Sequence, residues 1–456
     1  AELANLYQRG DVKEMWDVAR ETHLTFNLVT FVLCSVAVVI AAWSYVLTRS
    51  RPVYLMHYEC YRPPAELGVS EEFFMEHSRS AGVFSEENLE FQLKVLSRSG
   101  LGQHTSLPPA IMSNPPEISM ATAREEAHMV LFDVVERTLA ATRTPAQAID
   151  ILIVNCSLFN PTPSLSAMLV NRFKMRSDVV TYNLSGMGCS AGVIAIGLAR
   201  QMLQLHPGSR VLVVSTENIT QNWYFGNERS MLVPNCLFRM GGAAMLLSNR
   251  ARDRWRARYA LKHVVRTHMG QDDAHYGCVY QREDADGKVG VHLSKDLMRI
   301  AGHALKANIT TLGPLVLPLS EQVLFFANLV ARRFLGLRKS LQPYIPDFKQ
   351  AFEHFCIHTG GRGVIDAIEQ QLQLGDANVE ASRQSLEWYG NVSSASIWYV
   401  LANIETLRGV RKGDRVWQIA FGSGFKCNSA VWVALRDVNY KHSVWSHLLG
   451  SAKKRV

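Results

Sequence analysis

Along the first half of the chain, segments with hydrophobic residues at helical spacing alternate with short, continuously hydrophobic segments. Residues 121–141 carry apolar positions at helical spacing, and residues 149–155 form a short apolar run typical of a fully buried strand. The same order then repeats, with a helix at 164–173, a strand at 179–183, a helix at 190–205 and a strand at 210–215. Strands that alternate with helices form a largely parallel sheet covered on both faces, so the pattern predicts an α/β fold.

The second half repeats this rhythm. Its pattern predicts helices at 293–308, 363–372 and 393–404 and strands at 351–357, 415–420 and 430–434. No repeat is visible residue by residue. The rhythm predicts two similar α/β halves, over 52–250 and 251–440, followed by a basic tail at 441–456.

Residues 24–48 contain no charged side chain, and Arg49 and Arg51 follow them directly. About 20 apolar residues cross a bilayer, so we predict a transmembrane helix here, with the catalytic part in the cytosol. Residues 1–23 are a mixed, charged lead-in. Because the first residue is alanine, we expect the natural N-terminus to be missing.

A second apolar stretch, at 312–348, interrupts the second half. It has three possible interpretations: a lid or acyl tunnel wall, a helix lying on a membrane, or ordinary core packing. Arg332 and Arg333 stand among its apolar residues, which suits an interface.

Composition describes a folded protein: 48% of the 456 residues are hydrophobic and 19% are charged. The net charge of +8 allows nucleic acid, an anionic membrane or phosphate-bearing substrates as partners and does not choose among them. None of the eight cysteines lies in a C-x-x-C pair, so we expect reduced thiols and neither a zinc ribbon nor a redox motif.

Cys189 stands in the small-residue run N-L-S-G-M-G-C-S-A-G at the start of a predicted helix. A thiol at a helix N-terminus is favoured as a thiolate, which predicts a nucleophile. The alternative is a small buried cysteine, which is the commoner role in such a context.

Three stretches of the second half supply possible partners. His354 and His358 flank the end of a predicted strand, and the C-terminal end of a strand is a usual catalytic place in an α/β sheet. Asn391 precedes a predicted helix, where it is either an amide donor or a helix N-cap. Residues 421–425 read F-G-S-G-F, a glycine loop that lets backbone or substrate approach closely. Cysteine, histidine and asparagine together are the parts of an acyl-transfer site.

The chain also contains several longer sequence motifs. They are C-Y-R-P-P at Cys60, N-C-S-L-F-N-P-T-P-S-L-S-A-M at Asn155, G-M-G-C-S-A-G at Gly186, S-T-E-N-I-T at Ser215, P-N-C-L-F-R-M-G-G-A-A at Pro234 and G-S-G-F-K-C-N-S-A-V-W at Gly422. With these strings the chain closely resembles the plant 3-ketoacyl-CoA synthases, the condensing enzymes of very-long-chain fatty acid elongation. Chalcone synthases share only the looser cysteine, histidine and asparagine framework.

The resemblance implies a thiolase-like fold of two similar halves, as a homodimer, and it implies residue roles. Cys189 would carry the acyl group, and His358 with Asn391 would promote decarboxylation of malonyl-CoA. The resemblance also implies functional roles for His268 and His354. Many members have a further histidine where this chain has Glu387, so no role is transferred to that position.

From the resemblance we expect acyl-CoA and malonyl-CoA as substrates, bound in part at Gly422, Gly424 and Phe425, with no metal, no cofactor and no nucleic acid. We also expect association with other elongase enzymes at the endoplasmic reticulum membrane, in keeping with a dilysine-like K-K-R-V end. The alternatives are a type III polyketide synthase-like enzyme and a non-catalytic elongase scaffold.

Overall fold

The computed structural model describes residues 28–48, 50–334, 341–342 and 344–449. The chain divides into two units, Ala1–Arg51 and Pro52–Val456. The predicted lead-in at 1–23 and the K-K-R-V end lie outside the described residues.

Helix α1, Leu28–Thr48, occupies most of the apolar stretch at 24–48. Its side chains are exposed throughout residues 30–45. Over the part of the chain that the structure describes, no helix meets the length and apolar character needed to cross a membrane.

The second unit is built on one nine-stranded sheet. The thirteen strands described in this unit are β1 Val53–Cys60, β2 Gly68–Val69, β3 Thr105–Ser106, β4 Ile151–Asn155, β5 Val180–Leu184, β6 Arg210–Thr216, β7 Gly242–Ser248, β8 Tyr259–His268, β9 Val279–Glu283, β10 Val289–Leu293, β11 His354–Ile357, β12 Arg415–Gly422 and β13 Lys426–Ala434. The order in the large sheet is β11-β12-β13-β8-β1-β7-β6-β4-β5, and β9 with β10 and β2 with β3 form two small separate sheets.

The helices of this unit are α2 Glu71–Ser80, α3 Glu86–Ser99, α4 Pro109–Met112, α5 Met120–Thr142, α6 Leu165–Phe173, α7 Ala191–Leu205, α8 Arg229–Leu237, α9 Asp273–Gly277, α10 Leu297–Val316, α11 Leu319–Phe334, α12 Arg362–Leu372, α13 Asp376–Tyr389 and α14 Ser396–Leu407. The alternating helices and strands confirm the α/β class.

The large sheet is mixed rather than largely parallel, which corrects the prediction. Only β4 with β5, β4 with β6, and β11 with β12 pair in parallel among the described strands. Strands β1, β7, β8 and β13 pair antiparallel with their neighbours. Strands β12 and β13 are joined by a short turn, whereas the connection from β6 to β7 contains α8. Neither hydrophobic periodicity nor an intervening helix therefore reveals the direction of pairing here.

Strand β1 joins the two halves. It pairs with β7 from Tyr54 to Cys60 but with β8 only from Val53 to Leu55, so the two parts of the sheet separate beyond Leu55. Helices α7 and α14 pack in one hydrophobic cluster with residues of β4 and β6 from the first half and of β12 and β13 from the second. Every residue of α14 from Ser396 to Thr406 is buried, as expected for a helix that is apolar on all sides.

Helix α11, which lies within the insert at 312–348, does not pack into the hydrophobic core. Within this helix only Glu321 is buried, while large apolar side chains are exposed at Leu319, Val323, Leu324, Phe325, Phe326, Leu329 and Phe334. Residues 335–340 and 343 of the insert lie outside the described residues.

Candidate active site

A cavity of about 380 Å³ lies where the two halves meet. Asn155, at the end of β4, and Glu217, directly after β6, come from the carboxyl ends of parallel strands, as expected for a site in an α/β sheet. The cavity is lined by Cys189, Glu217, His358, Asn391, Ser393, the loop Gly422–Phe425, and apolar residues that include Leu237, Phe238, Val279, Val291, Leu293, Leu297, Ala301, Val364 and Phe421.

Cys189 lies just before α7, which begins at Ala191. Its backbone position depends on a close approach between the halves, because a Cβ atom on Gly188 would stand 2.4 Å from the backbone nitrogen of Ser423. Glycine at 188 therefore lets the nucleophile turn and the loop of the second half touch. This contact brings the predicted loop at Gly422 and Gly424 into the lining of the same cavity.

The electrostatics of Cys189 differ from the prediction. Burial raises the pKa of its thiol from 9.0 to about 12; a hydrogen bond with Ser393 opposes this rise and the negative charge of Glu217 adds to it. Desolvation acts in the opposite direction to the effect expected of the helix N-terminus, so the thiolate stays a prediction. The sulfur needs a base at the moment of attack.

His358 follows β11, and its backbone N–H donates to the carbonyl of Ile419 at 3.0 Å. Burial lowers the pKa of its imidazole to about 4, so the ring is neutral near pH 7. Nδ1 is buried and has no hydrogen-bond partner among the described residues. Nε2 is thus the ring nitrogen available to a reacting group in the cavity.

Asn391 is held from three directions. Its N–H donates to the carbonyl of Leu237 at 3.1 Å, and its carbonyl accepts from the N–H of Arg239 at 3.0 Å. Its side-chain Oδ1 accepts from the backbone N–H of Ser393 at 2.9 Å. Because this N–H requires an oxygen, the amide is oriented with Nδ2 as the remaining donor. Asn391 is not itself the helix N-cap, since Val392 takes that position before the 3₁₀ helix Ser393–Ala395 that leads into α14.

Two residues of the site were missed by the sequence reasoning, namely Glu217 and Ser393. The Glu217 carboxylate accepts from the Leu158 N–H at 2.9 Å and from the Ser393 hydroxyl at 3.0 Å. Burial raises the pKa of Glu217, and the hydrogen bonds it accepts oppose that rise. Ser393 thereby touches both Cys189 and Glu217 and also orients Asn391.

The other two predicted histidines do not line the cavity. His268 ends β8 beside Lys426, and its Nδ1 accepts from the N–H of Gly270 at 3.1 Å. His354 begins β11, at the opposite end of that strand from His358, and its Nε2 lies 2.8 Å from the Asp414 carboxylate. The structure gives His354 a hydrogen bond with Asp414 rather than a place beside Cys189, and the functional roles of both histidines stay predictions.

Comparison with known proteins gives consistent results. Residues 45–334 match the family model described as FAE1/Type III polyketide synthase-like protein, and residues 337–435 match the C-terminal domain of chalcone and stilbene synthases. The chain is 59% identical over 428 residues to 3-ketoacyl-CoA synthase 4 of Arabidopsis thaliana, an alignment that covers 94% of this chain and 82% of the relative. The chain belongs to the 3-ketoacyl-CoA synthase family. A probable 3-ketoacyl-CoA synthase 20 of Oryza sativa subsp. japonica is 54% identical over 88% of this chain and 77% of its own length.

Solved structures give the fold of this 3-ketoacyl-CoA synthase family member. The type III polyketide synthase domain of Steely1 from Dictyostelium superposes with a TM-score of 0.66 at 17% identity, over 84% of this chain and 99% of that domain. CsyB in complex with CoA-SH gives 0.66 at 18% identity, over 84% and 100%. The fold is therefore the thiolase-like α/β fold shared with type III polyketide synthases.

Proposed function

We propose that the protein is a 3-ketoacyl-CoA synthase, which condenses malonyl-CoA with a long-chain or very-long-chain acyl-CoA. The observation that carries the proposal is the convergence of Cys189, His358 and Asn391 on one cavity whose other walls are mostly apolar. Such walls suit an acyl chain. The identity of 59% to a relative named as such an enzyme supports the same reaction.

In the first step the neutral imidazole of His358 accepts the proton of the Cys189 thiol as the sulfur attacks the acyl thioester carbon. The bond between that carbon and the CoA sulfur breaks, and CoA leaves as a thiolate that takes a proton from solvent. The backbone N–H of Cys189 stabilises the oxyanion that forms on the way. The product of this step is an acyl-enzyme.

In the second step the carbon–carboxylate bond of malonyl-CoA breaks and releases CO2. The proton held at Nε2 of His358 and the Nδ2–H of Asn391 hydrogen-bond the enolate oxygen that carries the developing charge. The enolate carbon attacks the acyl thioester, the Cys189 sulfur leaves, and it recovers its proton from His358. The 3-ketoacyl-CoA is two carbons longer than the starting acyl chain, and the sequence of steps uses no metal and no redox cofactor.

The test is elongation of a long-chain acyl-CoA with radiolabelled malonyl-CoA. We expect no elongation by Cys189→Ala. Asn391→Asp keeps the size of the side chain but removes the donor, so we expect it to lose malonyl-CoA decarboxylation. Cys236→Ala is the control, because Cys236 is buried but does not line the cavity. Elongation by Cys189→Ala at the level of Cys236→Ala would disprove the proposed mechanism.

A type III polyketide synthase-like activity is the second candidate, because the matching family model includes that class. Such an enzyme adds several malonyl units and cyclises the product. Mass analysis of the products separates the two, since a linear 3-ketoacyl-CoA with one added two-carbon unit excludes repeated condensation.

We propose further that the enzyme works as a homodimer at the endoplasmic reticulum membrane, with its catalytic unit in the cytosol and with other elongase enzymes as partners. The exposed apolar side chains of α1 and α11 support membrane attachment, since Phe326 is 66% exposed and Leu319 is 77% exposed. Arg332 and Arg333 in the last turn of α11 fit a surface of anionic lipid.

Vesicle flotation tests the role of α11. We expect the triple variant Leu319→Ser, Val323→Ser and Phe326→Ser to float less than the unaltered protein, with elongation of a soluble acyl-CoA retained. Unchanged flotation would show that α11 does not contribute to membrane binding. Cell fractionation and sedimentation velocity test the compartment and the dimer.

A further inference from the structure

A second cavity, of about 200 Å³, lies at the other end of the sheet from Cys189. Arg210 begins β6 and lines this cavity, whereas Glu217 follows β6 and lines the catalytic one. The seven residues of β6 therefore separate the two cavities by about 20 Å. We call the second one the arginine cavity, and its polar lining includes Arg210, Arg256, Arg258, Arg436, His57 and Tyr440.

The floor of the arginine cavity is a fixed, buried cation. Arg258 is 6% exposed, its Nη1 donates to the Glu405 carboxylate at 3.0 Å, and its guanidinium lies 4.2 Å from the ring centre of Tyr440. His57 is buried beside it, and burial lowers the pKa of His57 to about 4, which leaves the ring neutral at pH 7.

The charges of the arginine cavity are not balanced. Arg210 and Arg258 have carboxylate partners, Asp253 and Glu405. Arg256 donates only to a neutral group, the carbonyl of Thr142 at 2.8 Å, and Arg436 makes no hydrogen bond or ion pair with any described residue. No aspartate or glutamate lines the cavity within the described part of the chain.

Arg256 and Arg436 are solvent-exposed, so water screens part of their repulsion, but the cluster still forms a site of positive charge that an anion would stabilise. Burial together with the positive charges of Arg258 and Arg256 lowers the pKa of Arg436, and the negative charge of Glu405 opposes this change. The planar fork of arginine matches phosphate oxygens, and several arginines converging on one cavity are typical of phosphate recognition.

We propose that the arginine cavity binds a phosphate group, with Arg256 and Arg436 at the rim and Arg258 on the floor. The phosphate belongs either to a soluble phosphate compound or to the head group of an anionic phospholipid. One observation favours the lipid. Trp255, next to Arg256, is 87% exposed, and exposed tryptophan beside arginine is typical of a membrane interface.

The experiment compares two double variants of the full chain in detergent micelles. Arg256→Ala with Arg436→Ala removes the uncompensated cations of the cavity. Arg252→Ala with Arg254→Ala removes the same charge from exposed neighbours that do not line it. Binding is measured by calorimetry with inorganic phosphate at constant ionic strength and by flotation with vesicles containing phosphatidic acid, against vesicles of phosphatidylcholine alone.

We expect the cavity variant to bind at least ten-fold more weakly in one or both arms, and the neighbour variant to bind as the unaltered protein does. Loss only with vesicles assigns the lipid, and loss only with inorganic phosphate assigns a soluble compound. Trp255→Ser should weaken vesicle binding and leave phosphate binding unchanged if the lipid is the source. Equal loss in the two double variants, or no loss in either arm, overturns the proposal. Unchanged elongation activity and thermal unfolding without phosphate establish that the cavity variant is folded.

Discussion

The contact between Gly188 and the loop of the second half gives a prediction whose size follows from the structure. Gly188 has a φ angle of +67°, and a Cβ atom there would stand 2.4 Å from the Ser423 nitrogen and 3.1 Å from Gly422 Cα. In Gly188→Ala the left-handed backbone costs about 1–2 kcal/mol, and the clash with backbone atoms adds about 1–3 kcal/mol. A shift of the Cys189 turn by about 1 Å lowers kcat/KM by about 100-fold.

Gly208→Ala is the matched control. Gly208 does not line the cavity and has nearly the same φ angle, +69°, but no atom lies within 4 Å of the position that its Cβ would take. We therefore expect it to lose only the backbone contribution to the free energy of unfolding and to keep its activity. Denaturant unfolding and the kcat/KM of elongation measure the two effects. Equal stability and activity in the two variants would refute the role given to the Gly188 contact.

Three other predictions concern titratable groups. The pKa of His358 is lowered from 6.5 to about 4 in the folded protein, so its contribution to the free energy of unfolding is intact above pH 6.5 and is lost as the pH falls toward 4. In His358→Gln the free energy of unfolding, measured with urea, should fall by about 3 kcal/mol less than in the unaltered protein as the pH is lowered from 6.5 to 4. An unchanged pH profile would contradict the burial argument. Because Glu217 raises the pKa of Cys189, Glu217→Gln should speed alkylation of Cys189 by iodoacetamide at mildly alkaline pH; slower or equal alkylation would contradict this. Because His354 pairs with Asp414, His354→Ala should lower the Tm, and its loss of activity should parallel the loss of folded protein; full activity loss at an unchanged Tm would instead indicate a direct catalytic role.

Elements with a strong period are predicted well from the sequence. The helix expected at 121–141 is Met120–Thr142, and the strand expected at 210–215 is Arg210–Thr216. Residues 71–99 form two helices, Glu71–Ser80 and Glu86–Ser99, each preceded by a serine. Serine is a common helix N-cap, so Ser85 is a local signal for the break.

Pairing in the large sheet could not be predicted in the same way. The direction and register of β1, β7 and β8 are set by contacts with strands far away in the sequence. Strands β1 and β7 are buried along their whole length, and β8 mixes buried and exposed residues without a regular alternation. None of the three therefore shows the alternation that would indicate an antiparallel strand.

The chemistry of the site was likewise predictable only in part. Residue types made Cys189, His358 and Asn391 candidates for a nucleophile, a base and an amide donor, and the family resemblance chose them over the structural alternatives. The burial of Cys189 and its proximity to Glu217, which raise the pKa of its thiol, could not be predicted because they are properties of the folded chain. Glu217 directly follows a buried strand, which was a signal for the site that the sequence reasoning did not use.

The most direct test of the account is the intact mass of the protein after incubation with a long-chain acyl-CoA and no malonyl-CoA. The account predicts a mass increase of one acyl group, located on Cys189 by peptide mapping and absent from Cys189→Ala. It also predicts that Asn391→Asp still acquires the acyl group, because Asn391 acts only in the second step. An acyl group on another residue would contradict the central claim that Cys189 is the acyl-carrying nucleophile. Protein that elongates acyl-CoA without ever acquiring an acyl group would contradict it too.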